Sequence, residues 1–269
     1  MILNSVLTKT VLLSSMILTG TFLSTVTFAQ TPEEKGLSIA KAVEKSDIGW
    51  GDTTANLRMV LRNRQGEESI REIRLKNLEV QGDGDKSMSI FDSPADIKGT
   101  SFLSFSHSVK ADDQWLYLPA LKRVKRISSS NKSGPFMGSE FAYEDLASFE
   151  VDKYRYKFVK DETVDGINTA VVENYPKYKH SGYTRQVVWI DMERHIPVKI
   201  EYYDRKNDLL KMLTFGQYKQ YKGKYWRAHE QIMSNKQNGK STVITMSNYQ
   251  FKTGLKAKDF NKSALKRAR

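Results

Sequence analysis

From residue 53 onward, apolar and polar side chains alternate with the period-two pattern of half-buried β-strands. Leu57, Met59 and Leu61 alternate with Arg58 and Arg62, and Ile73 and Leu75 with Glu72, Arg74 and Lys76. Tyr154, Tyr156 and Phe158 alternate with Lys153, Arg155 and Lys157. Similar runs follow at 183–191, 196–203, 209–218, 224–233 and 241–251. Turn signals separate the runs: Gly66, Asp83-Gly84, Asp165-Gly166, Lys206-Asn207-Asp208, Lys222-Gly223 and Asn238-Gly239. The apolar phase slips before Leu78 and Val80, which predicts a bulge near Lys76-Asn77.

Roughly ten to twelve strands in hairpin succession predict an antiparallel meander, wet on one face and apolar on the other. Such a sheet curls, and it must close, pack on a second layer, or be covered. Few helices are available to cover it. Residues 33–47 read as a short amphipathic helix, started by Thr31-Pro32 and two acids, with Leu37, Ile39, Ala40 and Val43 on one side. Residues 140–149 read as a short helix or turn, and a further piece is expected around 259–268. No composition shift marks a boundary, so residues 30–269 are expected to form one mainly β domain.

Residues 115–146, WLYLPALKRVKRISSSNKSGPFMGSEFAYEDL, break the pattern. Residues 114–118 form a strand that Pro119 ends or edges, and 121–127 form a second short strand. Residues 128–139 are too polar and too rich in Gly and Pro for regular structure, yet they carry Phe136 and Met137. Phe141, Tyr143 and Leu146 follow. Large apolar groups on such a loop serve either as a lid at the mouth of the curved sheet or as a plug for the end of its core. Lys122, Arg123, Lys125 and Arg126 are candidates for a phosphate headgroup or an acidic partner. Strand alternation sets Lys122 and Arg126 opposite Arg123 and Lys125, so the four do not line one pocket.

The first 29 residues carry a single charge, Lys9, ahead of an apolar and small-residue run that ends Thr27-Phe28-Ala29. That is the pattern of a cleavable secretory signal peptide. The sequence has no cysteine, which excludes disulfides and a lipid-modified cysteine at the cleavage site. Export from a bacterium therefore predicts a soluble periplasmic protein without a lipid anchor. With a formal net charge of +12, the expected anionic surfaces are membranes rather than nucleic acid.

Catalytic patterns are weak. His107, His180, His195 and His229 lack metal-ligand spacing, and a thiolate site is impossible. Ser128-Ser129-Ser130 lacks the setting of a hydrolase nucleophile. No cofactor and no enzymatic activity are expected. A serine hydrolase would instead need a His-Ser-acid cluster assembled by the fold.

The central run, with tryptophan-x-tyrosine-leucine-proline, basic residues, then GSEF-x-YEDL, resembles the outer membrane lipoprotein-sorting proteins, relatives of the periplasmic carrier LolA. The resemblance extends over nearly all of the chain after the signal. It implies about eleven antiparallel strands curled into an unclosed barrel crossed by helices. It also implies an apolar cavity for the acyl chains of a lipid or lipoprotein bound for the outer membrane, and an inner-membrane resistance-nodulation-division (RND) type transporter as partner. The departure lies in the cations after the tryptophan strand. On this reading Trp115, Tyr117, Phe136, Met137, Phe141, Tyr143 and Leu146 belong to the cavity and its lid. Met59, Met212, Met233 and Met246, each in a period-two run, supply an adaptable lining. The alternative is an accessory subunit that docks on an export pump without carrying cargo.

Overall fold

The computed structural model describes residues 30–267; the expected signal peptide, 1–29, lies outside the described residues. The chain enters through helix α1 (Pro32–Ser46). Thr31 caps it: its hydroxyl accepts from Glu34 N at 3.2 Å while the Glu34 carboxylate accepts from Thr31 N at 2.9 Å. With Pro32 opening the first turn and two glutamates facing the positive end of the helix, the start is fixed locally.

Thirteen strands follow: β1 (Asp52–Arg62), β2 (Glu68–Leu78), β3 (Lys86–Ser93), β4 (Ser101–Phe105), β5 (Asp113–Leu118), β6 (Arg123–Ile127), β7 (Tyr154–Val164), β8 (Ile167–Pro176), β9 (Arg185–Asp191), β10 (Ile196–Tyr203), β11 (Leu209–Tyr221), β12 (Tyr225–Asn235) and β13 (Ser241–Phe251). Helix α2 (Lys262–Arg267) is the last element. All thirteen strands join one antiparallel sheet in the order β6-β5-β4-β3-β2-β1-β13-β12-β11-β10-β9-β8-β7. The chain thus builds outward from β1 to the β6 edge, jumps to the opposite edge at β7, and returns strand by strand until β13 pairs with β1. The two edges do not pair, so the barrel stays open. Register shifts at Thr54/Asn56, Glu72/Ile73, Phe158/Lys160, Pro197/Lys199 and Tyr202/Tyr203 add local bending.

The jump from edge to edge is made by residues 128–153, which cross the concave face as a strap. Phe136 and Phe141, 2% and 3% exposed, sit in one cluster with Met59 of β1, Ile73 of β2, Phe91 of β3, Phe102 of β4, Leu213 of β11, Met233 of β12 and Ile244 of β13. The Phe136 ring lies 5.2 Å from Phe102 and 5.5 Å from Tyr143, within the range for favourable aromatic pairs. The strap has a tight bend of its own, with Met137 and Gly138 both at positive φ and Phe136 N donating to the Phe141 carbonyl at 2.7 Å. Residues 140–149 contain one turn of 3₁₀ helix, Tyr143–Leu146, rather than an α-helix.

The bulge expected near Lys76-Asn77 is absent. The β1–β2 register runs unbroken from Asp52↔Leu78 to Arg62↔Glu68. The apolar phase slips there because both faces of the sheet are covered. Ile73 and Leu75 point to the strap side, whereas Leu78 joins Met88, Ile90, Leu103, Trp115 and Tyr117 beneath Phe260 and Leu265 on the outer face. A third cluster joins Ile39 and Ala40 of α1 to Tyr156, Val172, Val188 and Ile190 on the concave side of β7–β9.

Candidate ligand cavity

Helix α1 approaches β7 so closely that a Cβ on Gly36 would lie 2.9 Å from the Phe158 backbone nitrogen. This glycine lets the helix lie on the β7 edge, and the concave face of β7–β11 then forms a trough between α1 and the strap. The trough holds a cavity of about 640 Å³. Ala40 and Val43 of α1, Val188 and Ile190 of β9, Ile200 of β10 and Leu213 and Phe215 of β11 supply its apolar wall, together with Tyr154 and Tyr156. Val109 and Phe149, 81% and 41% exposed, stand at its rim. Exposed apolar side chains at the mouth of a concave, mostly apolar hollow are what a hydrocarbon ligand requires.

The wall is not uniformly greasy. Register partners Tyr156↔Asn174, Asn174↔Gln186, Gln186↔Tyr202, Tyr202↔Lys211 and Lys211↔Asn235 form a row of polar tips across six strands, from β7 to β12. One part of this row anchors the strap. Lys211 Nζ donates to the Glu140 carbonyl at 2.8 Å and pairs with Asp145 at 2.6 Å, and Asn235 donates to the Glu140 carboxylate at 2.7 Å. Tyr183 OH donates to Asp145 at 2.7 Å. Glu144 accepts from Gly182 N at 2.8 Å, Ser181 Oγ at 3.0 Å and Tyr178 OH at 3.2 Å. Burial pushes its carboxyl up to about 7, and burial likewise pushes the Tyr154 phenol up to about 12. The acids of the GSEF-x-YEDL run are therefore a latch holding the strap to β11 and β12 and to residues 178–183. The other part of the row faces the cavity. Asn174 is 4% exposed, lines the cavity, and its Oδ1 has no hydrogen-bond partner among the described residues.

Of the residues expected to form the cavity and lid, Phe141 lines the hollow. Phe136, Met137 and Tyr143 fill the core beneath the strap, with Met59, Met233 and Met246 packed in or against it. In this half of the barrel the strap's aromatic side chains occupy the volume a ligand would need. Leu146 borders a smaller hollow of about 340 Å³ on the far side of residues 145–148. Trp115 and Tyr117 belong to the outer-face cluster under α2, and Met212 alternates with the inward Lys211 and Leu213 and so faces outward. Arg123, Lys125 and Arg126 are exposed on the β6 edge strand and Lys122, at positive φ, is exposed just before it, all away from the cavity, and Arg126 pairs with Asp113. Cations on an edge strand discourage pairing with another chain. The residues that sequence reasoning missed are Asn174, Tyr178, Lys132 and Lys153. A polar residue in the inward phase of an apolar run, as in Ala170, Val172, Asn174, was the available signal for the first.

Among the described residues, no histidine ring hydrogen-bonds to a serine. The His107 ring nitrogens meet Asp83 at 2.7 Å and Asp113 at 3.4 Å, and those of His229 meet Tyr221 OH and the Met246 carbonyl, each at 2.8 Å. The hydrogen bond from His107 holds the Asp83 carboxyl down at about 2.

An outer membrane lipoprotein-sorting protein domain from Vibrio parahaemolyticus, known from its crystal structure, is 60% identical to this chain. It superposes with a TM-score of 0.86, and the match spans 87% of this chain and 100% of that one. The chain belongs to the outer membrane lipoprotein-sorting protein family. A DUF1329 family protein from Desulfovibrio piger is 32% identical over 87% of this chain and 99% of its own, with a TM-score of 0.83. A LolA superfamily protein from Nitrosomonas europaea, 19% identical with a TM-score of 0.68 over 85% of this chain and 98% of its own, shares the fold. A family model described as "-like: Uncharacterized protein" matches residues 83–267. No curated protein matches the sequence. Membership of the sorting family agrees with an open antiparallel sheet whose concave face holds a hollow.

Proposed function

We propose that the protein is a soluble periplasmic carrier that shields the acyl chains of a lipid or lipoprotein in the cavity between α1, the strap and β7–β11. The observation that carries this reading is the cavity itself: about 640 Å³, apolar-walled, with apolar residues exposed at its mouth. That volume falls within the range of about 300–1,000 Å³ typical of ligand sites. Each methylene moved from water to such a wall contributes about 0.8 kcal/mol, so one or two chains give ample driving force for capture. The carrier acts by binding and release rather than by catalysis. The resemblance to sorting proteins supports delivery towards the outer membrane, and an RND-type transporter in the inner membrane is proposed as its partner. An anionic membrane surface is the other proposed contact, favoured by the net charge of +12.

Gentle purification from membranes followed by mass spectrometry tests the reading. Co-purifying lipid, displaced by a fluorescent acyl probe, is expected. Protein that emerges lipid-free and does not take up the probe overturns it. Crosslinking from cysteines introduced at Lys122 or Lys125 tests the transporter contact separately.

A further inference from the structure

Lys132, in the strap, and Lys153, at its end, are 7% and 8% exposed, and both line the cavity. Their ammonium groups converge on a single acid. Lys153 Nζ pairs with Asp112 Oδ1, while Lys132 Nζ lies 3.6 Å from Asp112 Oδ2 and donates to the Asp112 carbonyl at 2.5 Å. The Asp112 side chain is itself 11% exposed.

Two buried cations thus share one carboxylate. Among the described residues no other carboxylate lies within ion-pair distance of either lysine. The neighbouring Asp113 is engaged elsewhere, paired with Arg126 and 3.4 Å from His107 Nε2. Glu150 acts on Lys153 from nearby, but burial pushes its carboxyl up to about 7, so much of it is protonated at neutral pH. Asp152 is exposed. The lining adds Lys110, Lys177 and Lys179 against Asp152, while of the other two acids there Asp145 is paired with Lys211 and Glu144, pushed up to about 7 by burial, is partly protonated at neutral pH.

A buried ammonium without a counter-ion is costly unless it is paired, and burial already holds the Lys132 ammonium below the usual lysine range. The excess charge stands beside the apolar wall of the cavity. An acyl ester or acyl amide offers a cation no charge, whereas a phosphate or carboxylate supplies charge-assisted acceptors.

We infer that the cavity takes an acidic amphiphile, its phosphate or carboxylate seated at Lys132 and Lys153 and its hydrocarbon chain along the α1 and β9 wall. This rests on the carrier reading and specifies its cargo: an acyl chain joined directly to an anionic group, rather than the uncharged acylated terminus of a lipoprotein.

A matched series of single-chain ligands, dodecyl phosphate, dodecanoate and dodecanol, competes with a neutral fluorescent probe for the purified full chain. At least one of the two anions is expected to bind roughly tenfold or more tighter than the alcohol, the increment typical of a hydrogen bond to a charged group. A preference for the phosphate points to a phospholipid headgroup, and a preference for dodecanoate to a fatty acid; either supports the inference. Lys132→Met and Lys153→Met are each expected to bring the anion-to-alcohol ratio towards one, and Lys153→Arg to keep it. Equal binding of all three ligands by the unaltered protein overturns the inference and leaves the carrier reading standing. Folded Met variants that keep the full preference overturn it in the same way. Failure of every ligand to displace the probe removes the carrier reading and this one with it.

Discussion

The latch between Asp145 and Lys211 gives the most demanding test of how the strap is held. The pair is 2.6 Å apart with side chains 3% and 4% exposed, and each partner has further bonds. Asp145 also accepts from Tyr183 OH and Ala142 N, both at 2.7 Å, and Lys211 donates to the Glu140 carbonyl. Asp145→Asn can keep its one oxygen where Ala142 N donates and turn its amide nitrogen to Tyr183 OH, which can accept, but it leaves the ammonium buried without a counter-charge. Lys211→Met does the converse. Removing one member of a buried pair typically costs about 3–5 kcal/mol, whereas replacing both is often nearly neutral. The remaining bonds put each single variant at the low end, about 3 kcal/mol, or a fall of about 6–12 °C in Tm for a domain of this size. The double variant, with no isolated charge, is expected to lose about 2 kcal/mol less than the sum of the singles. Urea denaturation at pH 7 measures all three, and unchanged m-values license the comparison. Singles that cost under about 1 kcal/mol, or a double equal to their sum, would refute the idea that this pair is a buried, coupled latch.

Phe136→Ala should cost about 3–5 kcal/mol in the same assay, because a ring 2% exposed and packed on Phe91, Phe102 and Tyr143 leaves a void that the strap cannot easily collapse into. Gly36→Ala should destabilise by about 1–3 kcal/mol despite its better helix propensity, since its Cβ would press on the β7 backbone; a stabilised variant would show that α1 does not need that close approach. Burial raises Asp85 to about 6 and Glu144 and Glu150 to about 7, so the folded state holds protons that the unfolded chain releases near the usual carboxyl values. The stability this contributes is complete below about pH 4 and is lost as pH rises to about 7, so Tm should fall from pH 5 to pH 8, and Glu144→Gln should flatten that slope.

Period-two alternation carried most of the strands into view, since Tyr154–Phe158 and the runs from 183 to 251 correspond to β7 and β9–β13. What it could not convey was which face of each strand meets what. Leu78 and Leu75 belong to different clusters on opposite faces, and a one-faced sheet reads that as a slip in phase. Trp115 and Tyr117 looked like lid residues because α2, only six residues long, gave too little signal to show that the outer face of β3–β5 is covered. The polar anchors were harder still. Lys211 occupies an inward position beside Leu213, and only the Glu140 carbonyl and the Asp145 carboxylate, some seventy residues away in sequence, make that tolerable. Sequence spacing carries no trace of such a partnership.

Why part of the barrel is filled and part hollow follows from the same polar row. On the β1–β5 and β11–β13 side, the strap brings Phe136 and Phe141 for the apolar positions and Glu140 and Asp145 for Lys211 and Asn235, so those two side chains find hydrogen bonds, although Gln114 Oε1 of β5 stays unpartnered among the described residues. On the β7–β10 side the chain brings α1, which offers Ile39, Ala40 and Val43 but no donor or acceptor for Asn174. Packing more apolar protein against that wall would close off what remains of the Asn174 amide, whose oxygen is already buried without a partner, at a cost of up to about 1–3 kcal/mol. The two lysines at Asp112 would suffer more, losing their remaining access to solvent. A ligand that is mostly hydrocarbon but carries polar atoms at one end satisfies both demands, and water can replace it when it leaves. If so, Asn174→Leu should stabilise the empty protein while weakening its capture of polar-headed amphiphiles relative to simple hydrocarbons. Calorimetric Tm of the ligand-free variant, read beside probe displacement, separates the two effects. A variant that is less stable and binds unchanged would mean that Asn174 is held by the protein itself, and that the open half of the barrel owes its shape to something other than its unmet polar groups.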